Sequence, residues 1–338
     1  MRYLILLGAL AAAILGYWFY WDHVADRALA ETRGWIAREQ AQGLAIQHGP
    51  LSVSGFPYRV TVNVPAARLA SAAKADPGWR VAGDLALNIQ PWQFNHMVLQ
   101  GHNLHAATWR ADETAPGDAT AFEARASIVA DKGQWQRITI DAKNPAIARP
   151  VATLTADRLL ASTRRNSGED KDRPADTFDV ALTAERLSVP PTTAPGFPPV
   201  IDRFDAVGQL SGALQRGNLR DALEAWRQSG GILDLSKVTL LWGGIDIAGD
   251  GTLTVDREFR PLAALSATVR GYDRIVDALA ASGQLRTGDA GLAKFALAAL
   301  SQKEGKNPPF IKTSISAQDG RLTIGPVPVA RLRPVIAE

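Results

Sequence analysis

Hydrophobic and polar residues follow different patterns along the chain, and the first pattern is an uninterrupted apolar run. Residues 3–21 carry no charged side chain. As a helix, a run of this length at about 1.5 Å per residue spans roughly 28 Å, close to the roughly 30 Å of hydrocarbon in a bilayer. Aromatic side chains cluster at the end of the run, as is typical where a helix leaves the membrane: Tyr17, Trp18, Tyr20 and Trp21. The pattern predicts a transmembrane anchor over residues 1–21.

A cleaved signal peptide is the alternative interpretation of the same run. Cleavage requires small residues directly after the apolar stretch, and the nearest such pattern, Ala28-Leu29-Ala30, lies too far beyond it. We therefore expect the helix to be retained. The count of flanking arginines, with Arg2 before the run and Arg27, Arg33 and Arg38 after it, by itself favours a cytoplasmic body. A long domain can nevertheless cross the membrane regardless of such charges.

The segment that follows the anchor, residues 22–43, is charged but helix-compatible. Up to residue 42 it contains one glycine, Gly34, and no proline. The helix is either a juxtamembrane stalk that extends the anchor or a helix packed on the body through Leu29, Trp35 and Ile36. The modest apolar stripe leaves both alternatives open.

From residue 44 onward the dominant period is two, which is the period of a strand with one apolar and one polar face. Short alternating strands separated by turn residues predict an antiparallel sheet, because strands buried on both faces would be continuously apolar. Two strands carry the clearest alternation, and their apolar positions are candidates for lining a ligand groove: Val81, Leu85, Leu87, Ile89, Ile245, Ile247, Leu253 and Val255. The same positions would equally form a closed core.

Helical spacing appears three times within this β-rich region. Apolar residues recur at helical intervals after Leu219, after Tyr272 and in an alanine-rich run containing Leu292, Phe295 and Leu300. We expect these stripes to cover part of a sheet. The predicted fold class is mainly β with a few helices (α+β): a transmembrane helix followed by a curved antiparallel sheet.

Two segments interrupt the alternation and predict loops within a single β-rich domain over residues 44–338. Residues 164–176 are charged and lack any large apolar side chain, which indicates a solvated loop or a disordered insert. Residues 190–199 contain five prolines and should be extended, with little strand pairing.

Composition narrows the chemistry that this chain of 338 residues can perform. The absence of cysteine excludes disulfides, thiolate metal sites and a cysteine nucleophile. The net charge is only +3, and the basic residues do not form the dense cluster that is typical of a nucleic-acid-binding protein. His102 and His105 are an odd number of residues apart on a predicted strand, so they point to opposite faces rather than to one metal. Because no nucleophile elbow, phosphate loop or dinucleotide turn occurs either, we expect neither catalytic residues, nor a metal, nor a cofactor.

Several turn and strand segments, taken in order, resemble the alphaproteobacterial DUF2125 family. They are residues 54–58 (SGFPY), Pro91-Trp92 with Asn95-His96, residues 241–245 (LWGGI) with 251–256 (GTLTVD), Arg260-Pro261, and residues 319–329 (DGRLTIGPVPV). More loosely, the chain is similar to AsmA-like periplasmic proteins. That similarity implies a membrane-anchored β groove of taco or half-barrel form that faces the periplasm and takes part in lipid traffic or envelope assembly. It also implies an orientation opposite to the one that the arginine count favours.

Two classes of function follow from these patterns. The first is an inner-membrane-anchored, single-pass protein with a periplasmic C-terminal domain, whose apolar sheet face binds or guides an apolar ligand such as a lipid. The second is a non-enzymatic scaffold for envelope proteins, in which the same face is closed as a core. Expected partners are the membrane, lipid or envelope proteins, and no nucleic acid. An enzyme whose site has no recognisable motif is a weaker third alternative.

Overall fold

The computed structural model describes residues 2–71, 78–109, 117–149, 152–166, 177–192, 194–215, 219–303, 308–325 and 327–336. Contacts divide the chain into two compact units, residues 1–153 and residues 154–338. In each unit the strands form an antiparallel sheet that is not closed into a barrel. The described residues contain four helices, so the predicted mainly-β fold class with a few helices is confirmed.

The first unit consists of one long helix and a meander of strands. The helix, α1, spans Arg2–Ala41 without interruption. The strands are β1 (Ala45–Gln47), β2 (Ser52–Ser54), β3 (Val60–Ala70), β4 (Gly78–Gln90), β5 (Gln93–Trp109), β6 (Gly117–Asp131), β7 (Gln134–Lys143) and β8 (Ala146–Arg149). Strands β3 to β7 pair in chain order. Both β1 and β2 pair with β3, at its opposite ends, and β8 pairs with β6.

The second unit is a longer meander with three helices. Strand β9 (Ala152–Thr155) lies at the boundary between the units. The other elements are β10 (Arg158–Arg165), β11 (Thr177–Ser188), β12 (Val200–Ser211), α2 (Leu219–Gln228), β13 (Ile232–Trp242), β14 (Ile245–Val255), β15 (Pro261–Arg270), α3 (Tyr272–Ala281), α4 (Thr287–Leu300), β16 (Phe310–Gln318), β17 (Arg321–Ile324) and β18 (Val327–Arg331). From β10 to β18 each strand pairs antiparallel with the next.

Two of these helices cover the apolar sheet face, and the third does so only in part. Helix α3 buries Ile275 and Leu279 in a core with Ile245, and α2 buries Trp226 against Val255. Helix α4 differs from expectation, because Leu292, Phe295 and Leu300 are 74%, 74% and 72% exposed. Its apolar stripe points away from the sheet, and only Leu297 packs against the core that α3 covers.

The two predicted loops are described to different extents. The charged segment begins later than predicted, because Arg164 and Arg165 pair with Asp179 and Phe178 as the last residues of β10. Residues 167–176 lie outside the described residues. Within the proline-rich segment, the ring of Phe197 stacks on Trp242 with 4.7 Å between ring centroids, and the Trp242 indole donates a hydrogen bond to the Pro198 carbonyl. This loop therefore packs on the edge of the core that contains Ile245.

Candidate functional site

The second half of α1 packs against the sheet of the first unit. Val24 and Ala25 are buried against Val60, which is fully enclosed. The Trp21 indole nitrogen Nε1 donates a hydrogen bond to the Arg59 carbonyl at 3.0 Å. The buried residues of α1 are Val24, Ala25 and Ile36, whereas Trp35 is 43% exposed.

Strand β3 runs alongside α1 over this whole half. Near the far end, Gln40 Nε2 donates to the Ile46 carbonyl at 2.9 Å, and Ile46 pairs with Leu69 near the end of β3. The helix rises about 28 Å between residues 21 and 40, and the strand rises about 33 Å between residues 59 and 69. Because the helix is hydrogen-bonded beside each end of the strand and the two elements have similar lengths, the helix and the strand run side by side from Trp21 to Gln40.

Next to this contact, α1 and the sheet border an apolar cavity of about 1080 Å³ that is partly open to solvent. Ligand pockets for drug-sized molecules commonly measure roughly 300–1,000 Å³, so the space is large enough for a sizeable apolar group. The sheet side is lined by Ile46, Val64, Ala67, Leu69, Leu85, Leu87, Ile89, Phe94, Met97, Leu99 and Ile128. Residues from Tyr20 to Arg38 of α1 form the opposite side.

The apolar lining follows from strand alternation and register. Leu85, Leu87 and Ile89 share one face of β4, and Leu87 pairs directly with Leu99 on β5. Helix α1 covers β3 more closely than it covers β4 and β5. Val60, which packs against Val24 and Ala25, is fully buried, whereas Leu99 remains 42% exposed. The sheet face over β4 and β5 is therefore a lining rather than a closed core.

The helical side of the cavity combines apolar and charged side chains. His23, Arg27, Glu31, Trp35 and Arg38 recur at intervals of three or four residues, so they share one face of α1. All five are exposed in addition to lining the cavity. Two arginines, one histidine and one glutamate thus stand where an apolar cavity meets water.

The predicted groove residues fall in three places. Leu85, Leu87 and Ile89 line this cavity, whereas Val81 lines a neighbouring pocket of about 650 Å³ that shares Leu69 with it. The other four lie on β14 in the second unit: Ile245, Ile247, Leu253 and Val255. There α3 covers Ile245, which is 3% exposed, Ile247 packs on the same core, and Leu253 is half-buried opposite Leu233. Helix α2 covers Val255.

Sequence reasoning missed the helical side of the cavity and the lining that β5 and β6 contribute. Met97 and Leu99 are two residues apart on β5, as Leu85 and Leu87 are on β4, so they share one face of the strand. The apolar Val98 between them obscures the alternation of apolar and polar residues that marked β4. The charged residues of α1 recur every three or four positions in the sequence. Because any solvated helix shows this spacing, it did not indicate a cavity.

The opposite face of the same sheet carries a polar cluster around Glu123. Glu123 is 5% exposed, and it accepts hydrogen bonds from Lys143 Nζ at 2.8 Å, from Gln100 Nε2 at 3.0 Å and from Arg125. The hydrogen bond from Lys143, followed by that from Arg125, lowers the pKa of the Glu123 carboxyl below its ordinary value, although burial opposes the shift. Lys143 and Arg125 neutralise the carboxylate and Gln100 adds a neutral hydrogen bond, so we interpret the cluster as structural.

The histidines are not brought together. His102 bonds to Gln100 at 2.9 Å, and His105 lines the smaller pocket. Across the described ranges no three His, Cys, Asp or Glu side chains are grouped as metal ligands.

Comparison with protein families adds one match, which covers residues 18–333 and is described as an uncharacterized protein conserved in bacteria (DUF2125). The chain belongs to the DUF2125 family. The predicted membership is thereby confirmed, and the matched region of this DUF2125 protein includes the aromatic end of the apolar run and both sides of the cavity. No curated protein and no solved structure matches the chain. The looser similarity to AsmA-like proteins stays a prediction.

Proposed function

We propose that this DUF2125 protein is anchored in the bacterial inner membrane by α1 and takes an apolar chain of a membrane lipid into the cavity between α1 and the sheet. One observation carries the proposal. A cavity of about 1080 Å³ with an apolar sheet side lies directly against the helix that is long and apolar enough to cross a membrane. The proposed role is binding or guiding rather than catalysis.

The position of the cavity along α1 supports a membrane source for the ligand. Its lining begins at Tyr20, within the aromatic end of the apolar run, and includes Ile89 and Phe94 at the same end of the sheet. Transfer of a methylene group out of water is worth about 0.8 kcal/mol, so a chain that passes from bilayer to cavity without crossing water avoids a large cost. An acyl chain fits this path better than a water-soluble ligand does.

The charges of α1 support a lipid with a headgroup rather than a plain hydrocarbon. Arg27 and Arg38 line the cavity and remain exposed, so their guanidinium groups can stay in water while their stems follow the apolar surface. Guanidinium groups form paired hydrogen bonds with phosphate oxygens. Arg27, Glu31 and Arg38 form the rim of the cavity, and Glu31 is its one acidic residue. We therefore expect the bound lipid to carry an anionic phosphate headgroup.

Bound lipid on the full chain is the direct test of the proposal. Protein extracted in detergent is examined by native mass spectrometry, and we expect a mass that corresponds to retained lipid. Leu87→Glu should lower the bound fraction at least tenfold with little change in melting temperature. Ala86→Glu, on the opposite face of the same strand, is the matched control and should keep the lipid. A parent protein that never carries lipid would refute the proposal and favour the scaffold role.

The proposed orientation places the C-terminal body in the periplasm. It agrees with what the AsmA-like similarity implies, and it requires the body to cross the membrane despite Arg27, Arg33 and Arg38, which long domains are able to do. Alkaline phosphatase fused after Glu338 should be active, since that enzyme acquires its disulfides only in an oxidising compartment. Activity of a fused reporter that requires the cytoplasm would reverse the orientation.

A further inference from the structure

Two turns of the first unit are tied to the aromatic end of the apolar run. The Tyr17 hydroxyl donates a hydrogen bond to the Pro57 carbonyl, in the turn between β2 and β3. The Tyr20 hydroxyl donates to the Pro91 carbonyl, in the turn between β4 and β5. Because Tyr17 and Tyr20 are three residues apart on α1, the two turns are held within about 5 Å of the same level along the helix.

Both turns present large aromatic side chains that the protein leaves uncovered. Tyr58 is 76% exposed, Trp92 is 58% exposed, and Phe94, which follows the second turn at the start of β5, is 62% exposed. Phe56, at 47% exposed, packs edge-on against Trp21 with 5.5 Å between ring centroids. Large aromatic rings grouped on one exposed surface are costly in water, because their apolar area remains hydrated.

We infer that these two turns form a second membrane contact, in which Tyr58, Trp92 and Phe94 enter the interfacial layer of the bilayer that α1 crosses. Tyrosine and tryptophan are enriched at this depth because an apolar ring and a polar group can both be satisfied there. On α1, Trp18 and Phe19 lie between Tyr17 and Tyr20, which hold the two turns, and they are 45% and 64% exposed. Because the two turns lie beside the end of the apolar run, the partner that covers their exposed rings is the interfacial layer of the bilayer.

The contact fixes the direction of the sheet. Strand β3 runs beside α1 for about 33 Å, so the end of the sheet at Ala70 lies far from the aromatic turns. Thr108 on β5 lies at that far end, opposite Trp79 on β4. With one helix crossing the bilayer and two turns resting on it, the first unit would stand on the membrane instead of swinging about a flexible tether.

This inference depends on α1 crossing the membrane but not on the cavity binding lipid. It therefore fails or survives separately from the proposed function, whose test is the retained lipid. Phe94 belongs to both surfaces, since it also lines the cavity. If both proposals hold, the turns place the mouth of the cavity at the level of the headgroups.

The absence of native cysteine allows the depth of each turn to be measured with a single label. Tyr58→Cys, Trp92→Cys and Thr108→Cys are each spin-labelled in the full chain and reconstituted into vesicles of phosphatidylcholine and phosphatidylglycerol. Accessibility to oxygen, which concentrates in the bilayer, is compared with accessibility to a water-soluble nickel chelate. Thr108 is exposed and serves as the control at the far end of the sheet.

We expect the labels at positions 58 and 92 to favour oxygen and to be at least threefold less accessible to nickel than the label at position 108. Each variant must first reproduce the melting temperature of the parent protein, and Phe56→Cys, outside the cavity lining, replaces a variant that does not. Labels on the turns that are as accessible to nickel as the label at position 108 would overturn the inference.

Discussion

Leu87 on β4 pairs directly with Leu99 on β5, and both side chains line the cavity beside α1. In the second unit, Ile247 on β14 pairs in the same way with Val269 on β15, yet Val269 is fully buried beneath α3. The two pairs have the same chemistry and the same strand period. What differs is the helix above them, which leaves room in the first unit and fills it in the second.

Truncation of one residue on each sheet face should distinguish a lining from a core. Ile245→Ala removes a side chain that is 3% exposed and leaves a void, which should lower the free energy of unfolding by about 2–5 kcal/mol. Leu99→Ala, at a position 42% exposed, should cost less than about 1 kcal/mol, because little buried contact is lost. Urea unfolding at neutral pH measures both. Equal losses for the two variants would mean that the cavity face is packed in solution.

The strands and the apolar run could be predicted from the sequence, but the element that packs over each strand could not. A period of two places Leu85 and Ile247 on an apolar face equally well, since it reports only which side chains avoid water. The cover depends on contacts between residues far apart in the chain, such as that of Val24 with Val60. No local pattern encodes such a contact, and therefore the cavity could not be told from a core.

Helix α4 shows the same limit, because here an apolar stripe that predicted burial is exposed. Its apolar stripe predicted burial against a sheet, because Leu292 and Phe295 recur at helical spacing. In the structure both are 74% exposed, and the helix is attached chiefly through Leu297 and an ion pair between Lys294 and Asp277 at 2.6 Å. Helical periodicity identified the element correctly but could not decide which face is covered.

The arginines that line the cavity should select the headgroup of a bound lipid. Arg27→Glu reverses one charge at the rim, and we expect it to lower the share of anionic lipid among retained lipids at least threefold, because the attraction to phosphate becomes repulsion. Arg33→Glu changes the same charge on α1 at an exposed position outside the cavity lining, so it is the matched control. Native mass spectrometry identifies the lipid classes. An equal effect of both variants would point to general membrane charge rather than to the rim.

Acid should weaken the first unit through Glu123. The hydrogen bond from Lys143, followed by that from Arg125, holds the folded pKa of this carboxyl below the ordinary value of 4.5. Its contribution to stability is therefore complete above pH 4.5 and is lost as the pH falls through the folded pKa. Glu123→Gln should be less stable than the parent by about 1–3 kcal/mol at pH 7, since a buried partner of two cations is removed. The difference should shrink at pH 3, as urea unfolding at the two pH values will measure, and a constant difference would contradict this assignment.

Retention of the apolar run can be tested on the protein as it is made in the cell. Removal of residues 1–30 by a peptidase would delete Tyr17, Tyr20 and Trp21, and with them the hydrogen bonds that hold the turns at Pro57, Arg59 and Pro91. It would also uncover Val60, which Val24 and Ala25 bury. A body that lost these contacts would expose part of its own core, so we expect the mature protein to begin at or near Met1 and to resist extraction by alkaline carbonate. N-terminal sequencing of the membrane and soluble fractions provides the measurement. A soluble form beginning at Glu31 would show that the run is a signal peptide, and the packing of α1 on β3 would then describe only the precursor.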